Sequence, residues 1–461
     1  MRVGALLIMA AALFALNTGC SGDGVAESTD ALADVAPGGD LPGDTLKDAA
    51  PESPVPVEPH AEQSGDFTVV WLRGTPYQMG KQHGELLHDV IEEAIAFVMA
   101  DPVMSALPLL AKDAGIIDLA LANSYPDILD ECKGLVDATQ DVGFTMDLCL
   151  TLNFGDVMLD FLATGTPESG PGCTGAIAAG NATADGKLLH SRNLDWGSMD
   201  IAIVHQHPVI FVRQPKDAIP HVYVGFPLNL SPYTGMNLAG ISIGSHEGDP
   251  ATVADLSPEG RSHVQMVGQL LKNATSLAEA QAFIQGEKHM SVEALVVAAG
   301  MGQEGAVFEM AGSGVGVRHF DNDIVYASNH FVHPDMAGRH AAPAMGSKMR
   351  FERLTQLLSQ DGDATAWGTL DPKSLATVMR DTTHPVTGES PSLEELADLD
   401  WDNDWAIGAN GPMHLAIFQP ETGLFWVAAG ALPIHTRPYR CFSLKELLGY
   451  ANAPACPYDI Q

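Results

Sequence analysis

A cysteine stands at the head of the strand-like segment CTGAIAAG, directly after Pro171-Gly172, and one hairpin later the chain presents RNLD, with Arg192 and Asp195. A thiol is a good nucleophile only as thiolate, so a base must take its proton. Cys173 could carry its own base: cutting the Gly172–Cys173 bond would place a new α-amino group, with an ordinary pKa of about 7.7–8.0, beside the sulfur. Gly172 suits the cut, because a residue without Cβ permits close approach by the attacking sulfur. Asp195 could then accept a hydrogen bond from that amine, while the Arg192 guanidinium stabilises the charge of a thiolate. Together these residues imply acyl chemistry at a carbonyl with no histidine partner.

Elements must hold these groups in place. A short strand, FTVVWLRG, starts the folded sequence near Phe67. A helical region follows, with apolar residues recurring at three and four positions in LLHDVIEEAIAFV, ILDECKGLVDAT and NFGDVMLDFL. After the loop ATGTPESGPG the character changes. CTGAIAAG, KLLHSRNLDW, AIVHQHPVIFV, HVYVGF and TGMNLAGISIGS read as strands, with Asp185-Gly186 as a hairpin turn. SHVQMVGQLLKNATSLAEAQAFI is helical. EALVVAAG, AVFEMAG, GVGVRHF and DIVYASN return to strand, the helices SKMRFERLTQLLSQ and DPKSLATVMRD follow, and MHLAIFQPETGLFWVAAG makes a last strand pair. Strands in runs and helices in runs predict an α+β chain of antiparallel sheets with helices packed outside, rather than a βαβ repeat.

The chain has 461 residues, 58 acidic and 23 basic, for a net charge of −35. A nucleic-acid backbone would be repelled, and no basic patch offsets this. The N-terminal MRVGALLIMAAALFALNTGC has an early Arg2 and an apolar run of about 14 residues, too short to span a bilayer and suited to an export signal. It resembles a bacterial lipoprotein signal (residues 1–20) in which Cys20 is acylated; plain secretion is the alternative. Residues 21–65 are rich in Ala, Pro, Gly, Asp and Glu and predict a disordered acidic tether between membrane and domain. The expected location is the cell envelope, with a lipid anchor as the only membrane contact. Of 6 cysteines, Cys132, Cys149, Cys441 and Cys456 remain once Cys20 and Cys173 are set aside. Exported proteins sit in oxidising surroundings. Four cysteines allow three connectivities, and nearness in sequence favours Cys132 with Cys149 and Cys441 with Cys456. Closing a loop of roughly 15 residues contributes about 3 kcal/mol in the chain-entropy argument.

Taken in order, the motifs resemble the N-terminal-nucleophile hydrolases, in the branch of penicillin (isopenicillin N) acyltransferase and the choloylglycine (conjugated bile acid) hydrolases. The resemblance rests on Cys173-Thr174-Gly175, on Asn181-Ala182-Thr183 leading to Asp185-Gly186, and on Arg192-Asn193-Leu194-Asp195-Trp196. It continues through TGMNLAGISI around Asn237 and Gly240, ASNHF with Asn329 and MRFERL with Arg350, and upstream through GTPYQMGKQHGELL. The resemblance implies a four-layer αββα sandwich over residues 66–461. It implies one precursor cut autocatalytically between Gly172 and Cys173, into an α chain (66–172) and a β chain (173–461) that stay associated. It also implies Cys173 as nucleophile and, through its amine, base; Arg192 and Asp195 as orienting groups; Asn329 as oxyanion donor; and Arg350 completing the polar network. The family's second oxyanion donor is a backbone N–H near the end of GISIGSHEG, where His246 and Glu247 depart from the pattern, so no residue is assigned. The reaction implied is hydrolysis or transfer at a linear amide of a small N-acyl compound, through a thioester and without a cofactor.

Other readings compete with this one. Gly240-Ile241-Ser242-Ile243-Gly244 is literally GxSxG, yet that nucleophile elbow needs a strand, a sharp turn and a helix, whereas Ile241 and Ile243 alternate as in a continuous strand. His330, His333 and His340 lie in a Pro- and Ala-rich stretch without the HExxH arrangement, and no metal site is expected. GSGVGV lacks the lysine and helix of a phosphate loop and reads as a turn between strands. A surface-anchored binding protein of the same fold, without turnover, is the alternative from another class.

Overall fold

Alternation decides which way each chemically interesting side chain points. Along LHSRNLD every residue is buried, because both faces of the strand are covered. His190 and Arg192 reach toward the facing sheet, where they meet Ser242 and Ser245. Asn193 points the other way, donating to the carbonyls of Met379 and Ile407 in the helical layer. A period of two thus splits one strand's polar residues between two compartments.

The computed structural model describes residues 56–100, 102, 104–154, 172–195, 205–398 and 403–461. The predicted signal peptide with Cys20, most of the tether, the loop before Gly172, the end of NFGDVMLDFL and Trp196 lie outside these residues. Among the described residues, fifteen strands form two sheets. The first runs in the order β1 (His60–Ser64), β2 (Phe67–Gly74), β5 (Val209–Pro215), β6 (His221–Gly225), β7 (Thr234–Asn237), β8 (Ile241–Glu247), β9 (Glu293–Ala299), β10 (Glu304–Ala311) and β11 (Gly314–His319). The second runs β12 (Ile324–Ala327), β3 (Thr174–Ala178), β4 (Leu189–Asp195), β13 (Pro412–Gln419), β14 (Leu424–Ala429) and β15 (Arg440–Ser443).

The expectation of purely antiparallel sheets needs one correction: β2 and β5 pair in parallel, Thr68 opposite Val209 through Gly74 opposite Pro215. A parallel pair requires a long crossover, and here the intervening chain includes the whole early helical region and two strands of the other sheet. The tether boundary also moves. His60–Ser64, inside the segment read as tether, forms an edge strand on β2. GISIG lies within and just before the continuous strand β8, and GSGVGV includes the turn from β10 to β11, both as read.

The helices are α1 (Pro76–Leu86), α2 (His88–Ala100), α3 (Leu107–Asp113), α4 (Ile116–Asn123), α5 (Pro126–Thr139), α6 (Met146–Phe154), α7 (His263–Asn273), α8 (Leu277–Gly286), α9 (Met345–Leu358), α10 (Pro372–Met379), α11 (Leu393–Ala397) and α12 (Leu444–Leu447). Apolar clusters define four layers. Val70, Phe211 and Tyr223 on the outer face of the first sheet pack with Met79, Ile91 and Leu135 of α1, α2 and α5, while Ile243 and Leu295 pack with Leu270 and Ile284 of α7 and α8. The inner faces meet through Phe67, Val212 and Val224 against Phe418, Phe425 and Val427. Outside the second sheet, Leu415, Ile417 and Trp426 pack with Leu354 of α9 and Leu375 of α10. The result is an αββα sandwich, and each fully buried large apolar side chain contributes about 1.5–3 kcal/mol to it.

Helix α1 starts on a capping box, Thr75 with Gln78, behind Pro76 at the first turn. It crosses α5 at backbone distance: a Cβ on Gly80 would stand 2.0 Å from the Glu131 carbonyl oxygen, and one on Gly134 would stand 2.1 Å from that of Tyr77. Cys132 and Cys149 bridge α5 to α6, and Cys441 bridges to Cys456, with Cα separations of 5.9 and 5.7 Å that fit disulfide geometry. Cys173 is free and buried.

Candidate active site

Cys173 sits just before β3, at the end of the sheet sandwich, against Leu194, Tyr233, Val264 and Met413. In the neighbouring strand, Arg192 opposes Gly175 and Asn193 opposes Thr174. From there the Arg192 guanidinium donates to Cys173 Sγ at 3.2 Å and to the Ser245 carbonyl on β8. Its stem lies on Gly244, where a Cβ would meet Arg192 Cγ at 2.8 Å. Gly244, the last residue of the apparent GxSxG, therefore admits an arginine. Ser242 is fully buried on a straight strand, hydrogen-bonded to His190 Nδ1 at 2.8 Å, and is no exposed nucleophile.

A second cluster closes on the same point from the helical layer. Arg350 donates to Asn329 Oδ1 at 2.7 Å and to the Asp404 carbonyl, and Asn329 Nδ2 donates to the Glu247 carbonyl at 2.8 Å. Ser347, one helical turn before Arg350 on α9, accepts from the Asn329 backbone N–H at 3.0 Å. Gly172 is pressed against this pair: a Cβ there would fall 2.0 Å from Asn329 Oδ1 and 2.6 Å from an Arg350 nitrogen. The backbone at the predicted cut thus lies beside the predicted oxyanion donor, in a space only glycine fits. An amide NH2 carries two donors, so Asn329 keeps one beyond its bond to Glu247.

Asp195 is 5 % exposed, and neither carboxyl oxygen has a hydrogen-bond partner among the described residues. Burial pushes its carboxyl up to about 7, against the pull of the Arg350 and Arg192 guanidinia. Burial lowers the Arg350 guanidinium, with Asp195, then Asp404 and Cys173, acting the other way. His190 is held down to about 3 and His246 well below the usual histidine range, by burial first and then by Arg192, so both are neutral neighbours of that cation. His246 fills the gap over Gly175, where a Cβ would meet its Nε2 at 2.7 Å.

All five residues predicted for catalysis, with Gly172, fall in this one region. Sequence reasoning missed Ser347, Gly244 and Ser245. The spacing of Ser347 and Arg350 on one helix face was the available signal for the first; Ser245 acts through its backbone, which leaves no trace in residue type. Asn237 is structural: its Oδ1 accepts from Ile241 N at 2.9 Å and its amide donates to the Leu271 and Ala274 carbonyls. His330 bonds to the hydroxyls of Ser328 and Ser347, His333 accepts from Asp335 N and His340 Nδ1 meets the Ala341 carbonyl. No group of three or more metal-ligating side chains occurs among the described residues, and no helix among them is long and apolar enough to cross a membrane.

The family model for acyl-coenzyme A:6-aminopenicillanic acid acyl-transferase matches residues 183–385. That stretch contains Arg192, Asp195, Asn329 and Arg350, and begins shortly after Cys173; the chain is similar to that family there. An uncharacterised protein of Archaeoglobus fulgidus is 27% identical over an alignment of 327 positions that covers 62% of this chain and 54% of that protein. The chain thus spans about half the length of the curated relative it matches. Among solved structures, the Caenorhabditis elegans ortholog of N-acylethanolamine-hydrolyzing acid amidase is 14% identical, with a TM-score of 0.36, covering 54% of this chain and 93% of that one. Penicillin V acylase from Agrobacterium tumefaciens is also 14% identical, with a TM-score of 0.36, covering 59% and 87%.

Proposed function

We propose that the protein is an autoprocessed cysteine amidohydrolase or acyltransferase acting on linear amides of small N-acyl compounds. The observation that carries this reading is the fit of Gly172 against Asn329 and Arg350 while Arg192 holds the adjacent Cys173 sulfur. In the first step the Cys173 sulfur attacks the Gly172 carbonyl, a C–S bond replaces the C–N bond, and water then releases the Gly172 carboxylate. Cys173 is left with a free amine. In turnover that amine takes the thiol proton and later gives it to the leaving amine. Once the leaving amine has taken that proton and departed, the acyl group is held on sulfur as a thioester until water or an acceptor amine attacks its carbonyl and breaks the C–S bond. Asn329 donates to the oxyanion, a contribution of about 2.7–4 kcal/mol for one such donor. Asp195, without a hydrogen-bond partner among the described residues, receives the new ammonium, whose charge favours the carboxylate. Abundant water in an envelope location favours hydrolysis over transfer.

Around this domain we place a lipid anchor on Cys20 and an acidic spacer, which hold the enzyme at the cell envelope. We also propose that the 66–172 fragment stays bound after cleavage: β2 lies inside the first sheet, and neither disulfide joins the two fragments. Intact mass and N-terminal sequencing of the wild type and Cys173→Ala test the reading. A fragment starting at Cys173 in the wild type and absent from the variant is the expected result. An uncut wild-type chain would instead favour a binding protein of the same fold.

A further inference from the structure

Asn329 stands on the connection that leaves β12, at the edge of the second sheet. Its side chain meets Glu247 and Arg350 and its N–H meets Ser347, but the backbone on either side of it is held from the opposite sheet. Glu309, on β10, is fully buried, and both of its carboxylate oxygens are committed. Oε1 accepts from Arg318 Nε at 2.7 Å and from Val332 N at 2.9 Å; Oε2 accepts from Val332 N at 3.0 Å and from His333 N at 2.9 Å. Arg318, on β11, reaches the other side of Asn329, where both terminal nitrogens donate to the Tyr326 carbonyl at 3.1 Å. The pair thus ties the chain before Asn329 at Tyr326 and after it at Val332 and His333. Gly316 makes room for the tie. It lies opposite Glu309 in the β10–β11 pair, and a Cβ there would stand 2.6 Å from Met336 Cγ and 2.7 Å from His333 Cγ. This is the last glycine of GSGVGV, so that stretch seats a loop of the chain itself.

Stability alone does not call for a buried carboxylate at this place. Replacing a buried ion pair by apolar side chains is often neutral or stabilising. The loop it holds is also at the surface, with Val332 40 % exposed. What the pair supplies is a fixed backbone path, set by short charge-assisted hydrogen bonds. Resting on the acyl-transfer reading of Cys173, we infer that Glu309, with Arg318, is a positioning residue that sets the Asn329 amide where the oxyanion forms. It acts through the loop backbone on a donor whose value depends on its exact place, since a displacement of about 1 Å can cost on the order of 10²-fold in rate.

The test needs no identified substrate, because the Gly172–Cys173 bond, whose glycine lies against Asn329, undergoes the same attack of thiol on carbonyl. The full chain is made by cell-free synthesis, and the rate at which the fragment beginning at Cys173 appears is read by mass, at a temperature where melting shows each variant folded. Glu309→Gln keeps the shape but turns one acceptor into a donor, and should slow cleavage by roughly tenfold to a hundredfold. Asn329→Ala alone should slow it by about 10²–10³. In the Asn329→Ala chain, Glu309→Gln should slow cleavage no further, because the donor it displaces is already gone, whereas a merely structural role would multiply the two losses. Gly316→Ala, which pushes His333 off the sheet and leaves the carboxylate in place, should show the same dependence on Asn329, and it decides the matter if Glu309→Gln does not fold. Cleavage of Glu309→Gln at the wild-type rate, or a loss undiminished in the Asn329→Ala chain, would overturn the positioning role. An uncut wild-type chain would overturn the acyl-transfer reading itself, a result distinct from these because it is seen without any variant.

Discussion

Arg192 and Arg213 are both completely buried on neighbouring layers of one sandwich, and they are handled in opposite ways. Arg213 meets Glu131 at 2.7 Å, with the Tyr223 hydroxyl and Met79 sulfur nearby. Burial pulls its guanidinium down, and Glu131, then Tyr223, more than reverse this. Arg192 has no carboxylate bond: it reaches only a sulfur and a backbone carbonyl, and its Nε and Nη1 have no hydrogen-bond partner among the described residues. The paired arginine joins β5 to α5, two elements on opposite sides of the proposed cut, and belongs to the architecture. On the proposed acyl-transfer reading, the under-paired one keeps its charge for the sulfur, because a carboxylate bound to it would cancel the field a thiolate needs.

The comparison breaks most visibly at Arg213. Arg213→Leu strands the buried Glu131 carboxylate and should cost about 3–5 kcal/mol, read by chemical denaturation, while Arg213→Leu with Glu131→Leu should recover most of it. If the single variant were as stable as the wild type, the pair would not be structural. Asn329→Ala should lower kcat by about 10²–10³ with little change in melting, measured on amide turnover. A parallel loss of stability would place Asn329 with Arg213 instead.

Asp195 gives a signed pH dependence. Its native carboxyl holds its proton up to about 7, whereas an unfolded aspartate ionises near 3.9. The unfolded chain therefore binds fewer protons between these values. Stability is fully present below about 3.9 and is lost as pH rises through about 7. In the uncut Cys173→Ala chain, Asp195→Asn should be neutral near pH 4 and stabilising by on the order of 2–3 kcal/mol at pH 8. The gain should shrink in the cut protein, where an ammonium faces the carboxylate; a gain of equal size in both would separate Asp195 from the new amine. The smallest effect sharpens the role of Arg192. Gly244→Ala pushes its stem aside and should lower kcat by roughly tenfold, since one tenfold step is about 1.4 kcal/mol, with a melting change too small to explain it.

Local rules carried far in this chain. The strand alternation, the helical periodicities, the turn at Asp185-Gly186 and both disulfides, with sequence separations of 17 and 15, were legible because each depends on residues close along the chain. The Cys173, Arg192 and Asp195 set was legible for the same reason: one hairpin brings β3 and β4 together. Asn329 and Arg350 were legible only through resemblance, since nothing in their spacing announces a partner.

What the tertiary structure alone decided involves surfaces that meet across long stretches of chain. The parallel pairing of β2 with β5, the packing of Gly172 on Asn329 and Arg350, and the bed that Gly244 makes for Arg192 are of this kind. Residue type and spacing specify hydrogen bonding and periodicity within an element. Which glycine a distant arginine will lie on, and which buried oxygen is left without a donor, depends on how two sheets stack, and that follows from the sum of many weak apolar contacts rather than from any one motif.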